Sequence, residues 1–535
     1  MKRFLAVCIF LSGAILVVSI ASPAGCNRNS GPATSRNMVL VGTNDLQARS
    51  AYQPTVQRQG SRYILYVGHH TLSTVGDGND PSKIALPSLN RLNGLNEESG
   101  TSVVDVTDAA HPVYLAHIPV PDGAGGGAQM VRTCDGNQLP AKDGKFYMLR
   151  SYHGAAHEIW DVTDPANPKG VNTVAGGNPL VGDQTGGPNA GAGTHKSWWE
   201  CDTGIAYVVF RGHNDDSLGW KPSYHPWIVD LSHPDPVGTA HVDVSGSAGA
   251  AKLVRHWALD GQQPAAMGGN GGKLLTNFTN FPSIHGPIST GVAGNRVFFA
   301  YGTGSAGVMQ VVDRNKLLKS SSTDWSGPEV GRWVMNPDNG AHTSFPIGKI
   351  KVPDFTTGNG NDKGTVRDIV AVTSEATGNW CNEVRHMTYF IDITDPGRAQ
   401  GISTFLVPSQ QNGNCDMGGR FGPHSTQEEM TAPYYGKIVF IAYFNGGVRA
   451  VDVSDPYNPT EVGFYVPAIN HALPQNGGTD TRCGTYQGTP NLCSQVIQTN
   501  NVATDDRGYV YIVDRADTGL HILRPTGQLL ALVQQ

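Results

Sequence analysis

Charge is scarce in this chain. Only 15% of the 535 residues are Asp, Glu, Lys or Arg, against roughly 25% in an ordinary soluble domain. The 38 basic and 44 acidic residues are interspersed and sum to -6, so no basic face is available for nucleic acid. The local signatures of the commoner enzymes are missing too. There is no GxSxG elbow, HExxH pair, phosphate loop or dinucleotide fingerprint between a strand and a helix, which removes the hydrolases, zincins and nucleotide enzymes built on them. No CxxC pair occurs among the eight cysteines, and that argues against a thiolate metal site. The 67 Gly and 34 Pro follow no strict period. Collagen and long coiled coils are therefore excluded, and many turns joining short strands are expected.

What is present begins with a leader. Lys2 and Arg3 precede an apolar run from Phe4 to Ala21, and small residues follow at Ser22, Ala24 and Gly25. This is the pattern of a secretory signal peptide over residues 1–25. Export to the periplasm, outer membrane or cell surface follows. Pro23-Ala24-Gly25-Cys26 resembles the bacterial lipobox, in which the cysteine is lipidated and holds the chain to a membrane. Cleavage by ordinary signal peptidase after Ala21 or Ala24 is the alternative. Residues 26–36 are polar, with Ser, Gly and Pro, and read as a flexible tether. Apart from Cys8 and Cys26, six cysteines remain, an even number that suits disulfides in an exported protein.

One strand signature then recurs. Val103-Val-Asp-Val-Thr-Asp108, Ile159-Trp-Asp-Val-Thr-Asp-Pro165, Ile228-Val-Asp-Leu-Ser-His-Pro234, Phe390-Ile-Asp-Ile-Thr-Asp-Pro396 and Val451-Asp-Val-Ser-Asp-Pro456 are near copies, and Gln310-Val-Val-Asp313 is a degenerate sixth. The aspartates at 105, 161, 230, 313, 392 and 452 are 56, 69, 83, 79 and 60 residues apart, as expected of an array of supersecondary units. In each unit an apolar β-branched strand such as Ile438-Val-Phe-Ile-Ala-Tyr443 leads through a Gly turn to the Asp-bearing strand, and a further strand follows. With an opening strand this makes four strands per unit, a propeller blade. Val496 to Leu523 supplies a seventh unit. Its outer strand is expected from Met38–Gly42 or from Gln528–Val533, and the first choice closes the ring by pairing the two chain ends. The expected fold class is all-β, a seven-bladed β-propeller of four-stranded blades over residues 37–535. Asp followed by Ser/Thr-Asp-Pro lets short side chains bond backbone groups while Pro sets the turn, so these aspartates are structural.

The wording of this repeat resembles the LVIVD-repeat family of bacterial and archaeal surface or periplasmic proteins, whose strand ends in a Val-Asp-Val-Ser-Asp-Pro-like turn. The resemblance covers nearly all of the mature chain. It implies a seven-bladed propeller and no particular activity.

Blade order sorts the histidines. First strands line the channel, and the loops between second and third strands return to the face where first strands begin. Gly193-Thr-His195, Ser283-Ile-His285, Gly340-Ala-His342 and Gly422-Pro-His424 open four successive first strands. His69, His70 and His153 end second strands, His213 does so in the third blade, and His157 lies nearby. Imidazoles around a channel mouth suit copper, iron or zinc, so His195, His285, His342, His424, His69, His70 and His153 are the candidate metal ligands. Glu200, Glu375, Glu428 and Glu429 lie close to them in sequence and would orient the rings. Tyr52 or Gln53, Gln129, and Gln498 or Asn501 hold the equivalent positions in the other blades.

The same map pairs the cysteines as Cys134–Cys201 across adjacent blades, Cys381–Cys415 on the histidine-bearing face and Cys483–Cys493 within one loop. Trp198, Trp199, Trp220, Trp227, Trp257 and Tyr224 are expected to pack between blades. The leading functional expectation is a metal or small polar ligand at the histidine-bearing face, with redox chemistry if it is an enzyme. The alternative is a non-catalytic cell-envelope module that holds a protein or polysaccharide.

Overall fold

The computed structural model describes residues 33–535 apart from 71–87, 98, 121–127, 153–155, 175–190, 213–219, 222–223, 235–251, 264–281, 353, 357–362, 409–410, 471–482, 487–488, 494 and 517. The expected signal peptide and Cys26 lie outside the described residues. No described helix is long and apolar enough to cross a membrane.

The chain runs as successive antiparallel four-stranded sheets. The first holds Ala51–Gln59, Arg62–His69, Thr101–Asp105 and Val113–Ile118 in that order. The second is Val131–Asp135, Phe146–Tyr152, Ala156–Asp161 and Lys169–Val174; the third is Gly191–Trp199, Ile205–Gly212, His225–Asp230 and Lys252–His256. Ile284–Ser289, Arg296–Tyr301, Val308–Asp313 and Glu329–Val334 make the fourth, and Thr343–Lys351, Val366–Thr373, Thr388–Asp392 and Gln400–Phe405 the fifth. A nine-stranded sheet contains two further runs. One is Phe421–Thr426, Ile438–Phe444, Val448–Asp452 and Thr460–Val466; the other is Thr499–Thr504, Val510–Asp514, Leu520–Pro525 and Met38–Asn44. They touch through one ladder pair, Phe444 with Thr499.

Each first strand packs against the first strand of the next run, and Thr499–Thr504 returns to Ala51–Gln59. The hydrophobic clusters follow the same circle. Tyr66 and Met148 share one between the first and second sheets, Leu149 and Val208 the next, and Val513 and Leu65 the one that joins the last run to the first. A ring of meanders packed face to face with apolar material between neighbours is a β-propeller. Middle strands are covered on both faces, which is why Ile438–Phe444 is buried at every position and reads as an unbroken apolar run instead of alternating.

The repeated aspartate ends the third strand in the first six runs. Its side chain accepts from the backbone N–H two residues on: Asp105 from Thr107, Asp161 from Thr163, Asp230 from Ser232, Asp392 from Thr394 and Asp452 from Ser454, at 2.8–3.0 Å. The following Thr hydroxyl accepts from the start of the second strand, as Thr107 does from Tyr63 and Thr163 from Phe146, both at 3.0 Å. The turn thus staples second strand to third. It also reaches the preceding sheet, since a Cβ at Gly331 would lie 1.7 Å from the Pro396 carbonyl oxygen.

Ring closure takes the first of the two expected routes. Met38–Asn44 pairs with Leu520–Pro525, while Gly527–Gln534, within which the other expected strand would lie, is a helix. The expected tether is shorter at its C-terminal end: Thr34–Arg36 is a strand, paired with Val466, Tyr465 and Phe464. Cys134–Cys201 and Cys381–Cys415 are disulfides as expected. Cys483 faces Cys493 in the ladder register, and their side chains lie outside the described residues. Trp199 and Trp227 lie in one inter-sheet core, Trp220 and Trp257 in the next.

Candidate functional site at the channel mouth

First strands line the axis, so the ring order of the sheets becomes the order of the imidazoles. His195, His285 and His424 lie within first strands, and His342 immediately precedes Thr343–Lys351. Ring centroids are 4.4 Å apart for His195 and His285, 3.7 Å for His285 and His342, and 4.2 Å for His342 and His424. Tyr52 closes the circle. Its ring meets His424 edge-on at 5.3 Å and His195 at 5.8 Å, and its hydroxyl is 3.3 Å from His342 Nε2.

Backbone carbonyls set two of the tautomers. His285 Nδ1 is 2.8 Å from the His342 carbonyl oxygen, and His424 Nδ1 is 2.6 Å from that of Asn500. A carbonyl only accepts, so Nδ1 carries the proton in both rings and Nε2 presents a lone pair. His285 Nε2 takes a hydrogen bond from His195 Nε2 at 2.7 Å. His424 Nε2 has no hydrogen-bond partner among the described residues. Glu375 faces both remaining rings, with carboxylate oxygens 3.8 Å from His342 Nε2 and 3.7 Å from His424 Nε2. One donor atom each from His285, His342 and Glu375 lies within 4.8 Å of the others. Arg420 donates to Glu375 at 2.8 Å and Arg515 stands 3.9 Å away, so guanidinium groups hold the carboxylate in place.

Loss of solvation drives His285, His342 and His424 well below the usual imidazole range, with neighbouring cations adding to the effect. The same cause takes His195 down to about 3. These rings are neutral at pH 7, the form that ligates metals. One residue beyond His195, Lys196 donates to Glu428 at 2.8 Å, and Arg132 pairs with the same carboxylate. Lys196 and Glu428 come from runs three places apart in the ring, so this buried trio ties strands together across the axis.

The other candidates separate. His69 is fully buried but engaged at both nitrogens, Nδ1 with the Ser50 carbonyl oxygen at 3.2 Å and Nε2 with Ser102 Oγ at 2.7 Å. Both of its nitrogens face protein groups away from the ring of four, because the alternation of strand Arg62–His69 turns it to the other side from His70. His70 meets the Tyr52 ring at 4.8 Å. His153 and His213 lie outside the described residues. His157 Nε2 contacts the Val209 carbonyl oxygen at 3.1 Å.

Of the four expected orienting carboxylates only Glu375 reaches the imidazoles. Glu200 accepts from Arg314, Ser289, Thr203 and Tyr207 at the junction of the third and fourth sheets. Glu428 serves Lys196 and Arg132, and Glu429 accepts from the Thr504 N–H at 3.2 Å. Proximity in sequence misleads here because consecutive strand residues point to opposite faces. Arg515 and the Asn500 carbonyl escaped sequence reasoning. Arg515 follows the last second strand, the position that His70 holds in the first sheet, and that equivalence was the available signal.

No protein-family model matches the chain, and neither does any curated protein sequence. Among solved structures, the β-propeller domain of Cps50 (Swd1) from Myceliophteria thermophila is 9% identical over 92% of this chain and 100% of that one, with a TM-score of 0.43. Sqt1 from Chaetomium thermophilum is 10% identical over 92% and 100%, at 0.42, and the Dos1 propeller is 9% identical over 93% and 98%, at 0.41. The class of protein, a β-propeller with a histidine-ringed axis, rests on the strand order and the geometry above.

Proposed function

We propose that the histidine-ringed mouth binds one transition-metal ion through Nε2 of His285, His342 and His424 and a carboxylate oxygen of Glu375, with His195 at its edge. The observation that carries this is His424. Its Nδ1 is fixed on a backbone carbonyl, and its Nε2 lone pair is buried beside Glu375 with no hydrogen-bond partner among the described residues. Leaving such an acceptor desolvated costs about 1–3 kcal/mol, which a metal ion would offset. Carbonyl-fixed imidazoles with a carboxylate are a donor set for iron, copper or zinc. Ligands on one ion at about 2.0–2.1 Å stand at most about 4.2 Å apart, so the donors of His285, His342 and Glu375, which lie within 4.8 Å of one another, close through small side-chain rotations, and His424 Nε2 joins them from 3.7 Å off the same carboxylate. With iron or copper the centre would support redox chemistry.

The scaffold in this reading is a propeller of seven four-stranded blades, the two runs of the nine-stranded sheet being the sixth and seventh. The leader and the LVIVD-like repeats support placement in the cell envelope, with an anchor at Cys26 if it is lipidated.

The test is metal analysis of the full chain purified from the periplasm, followed by titration with Cu(II), Fe(II) or Zn(II) against a chelator. One equivalent per chain is expected, and none in the triple variant His285→Ala, His342→Ala, His424→Ala. Absence of stoichiometric metal, or unchanged binding by the triple variant, refutes the proposal. The non-catalytic envelope module then takes its place, and loss of a protein or polysaccharide partner on changing the rim loops is its own readout.

A further inference from the structure

His70 was a candidate ligand, and the geometry points to a different role. Its backbone N–H is held by the Ser50 carbonyl at 2.9 Å and its side chain is 4% exposed. Gln129 Nε2 lies 3.0 Å from His70 Nδ1. An amide nitrogen only donates, so Nδ1 is the acceptor and the proton sits on Nε2. That N–H is buried and has no hydrogen-bond partner among the described residues. A metal ligand needs a lone pair, and in this tautomer His70 has none to offer. It stands at the site all the same, edge-on to Tyr52 and within electrostatic reach of Arg515, His424, His195 and Arg420.

We infer that His70 Nε2–H is a hydrogen-bond donor to a small oxygen-donor anion, of the carboxylate type, that completes the coordination of the metal. This deepens the metal reading and rests on it. Tyr52 supplies the second donor. Its hydroxyl faces His342 Nε2 at 3.3 Å, and once that nitrogen is on the metal the phenol is released to point at the bound oxygen. Arg420 and Arg515, which flank Glu375, add positive charge on the same side. Neutral donors together with guanidinium groups recognise oxyanions, and a buried donor left unmatched otherwise costs free energy.

The experiment uses the full chain loaded with Cu(II), titrated with acetate at constant ionic strength and followed by the visible spectrum of the metal. A saturable shift is expected for the native chain. His70→Phe should weaken acetate binding at least about tenfold with unchanged Cu(II) affinity. His70→Gln keeps an N–H near the same place and should retain most of the acetate affinity, which also guards against a variant that fails to fold. Gln129→Leu, which frees the tautomer, should weaken acetate binding several-fold without touching the metal. No saturable shift on a protein that binds Cu(II) normally overturns this inference and leaves the metal site standing. So does acetate affinity in His70→Phe within twofold of the native value. A fall in Cu(II) affinity in His70→Phe equal to that in His342→Ala overturns it too, by making His70 a ligand. Failure of the native chain to bind Cu(II), Fe(II) or Zn(II) removes the metal reading itself, and the inference with it.

Discussion

Replacing Glu200 by Gln removes one charge and almost no volume, and the structure says what that should cost. Glu200 and Arg314 are each 4% exposed. Arg314 Nε lies 2.8 and 3.0 Å from the two carboxylate oxygens and a terminal nitrogen lies 2.5 Å from one of them. Ser289 Oγ, Thr203 Oγ1 and the Tyr207 hydroxyl donate at 2.6, 2.7 and 3.0 Å. The carboxylate therefore joins the third sheet to the fourth. In the variant the guanidinium stays buried, always charged, and without its counter-ion, a change that costs about 3–5 kcal/mol. A lower urea midpoint at unchanged m-value would report it. The sign of the pH dependence follows from hydrogen bonds that hold the Glu200 carboxyl below its ordinary value against the opposing effect of burial. A depressed acid contributes stability above its unfolded pKa of about 4.5, and that contribution is lost as the pH falls through the folded value. The gap between native chain and variant should be widest near pH 7 and narrow below about pH 4.5. A gap under about 1 kcal/mol at pH 7, or one that widens in acid, would refute the idea that this pair is dry and clamps the sheets. Metal binding should be the same in both proteins.

Two other outcomes are expected. Cys134–Cys201 closes a loop of sequence separation 67 between neighbouring sheets, and chain entropy puts its contribution at about 4 kcal/mol. The double Ala variant should show that loss in urea unfolding, with little change in native far-ultraviolet circular dichroism. His69→Ala should lower stability by about 2 kcal/mol or more by orphaning the Ser50 carbonyl and Ser102 hydroxyl, and leave metal stoichiometry intact. Burial holds His69 near pKa 3, below its unfolded value of about 6.5. Its contribution is present above pH 6.5 and lost as the pH falls toward 3, so this gap should also narrow in acid.

Much of the fold is legible along the chain because it depends on local rules. The Asp-x-Ser/Thr-Asp-Pro turn is satisfied within a few residues, as Asp161 and Thr163 show, so close variants of its wording recur where the third strand ends in five of the runs. The unbroken apolar run at Ile438–Phe444 announces a strand covered on both faces. Four histidines at the start of successive first strands were readable for the same reason, since a strand that always begins at one face delivers its first residues there. Strand alternation is as local, yet the register that decides which neighbour goes to the axis is not. His69 and His70 are adjacent, and one faces Ser50 and Ser102 while the other stands at the site.

By itself, then, the sequence determined the unit: four strands, an aspartate-capped turn, and an apolar content suited to packing on both sides. These follow from backbone hydrogen bonding and side-chain size over a span of some tens of residues. Only the tertiary structure decided what those units do together. Closing the ring through Met38–Asn44 and Leu520–Pro525 brings His285, His342, His424 and Glu375 into one desolvated cluster, and it sends Glu200 to Arg314 instead. It also fixes the tautomers of His285, His424 and His70 through carbonyls and an amide as distant in sequence as Asn500 from His424 and Gln129 from His70. Which nitrogen carries a proton depends on what lies within about 3 Å in space, and scarcity of charge along a chain cannot reveal that.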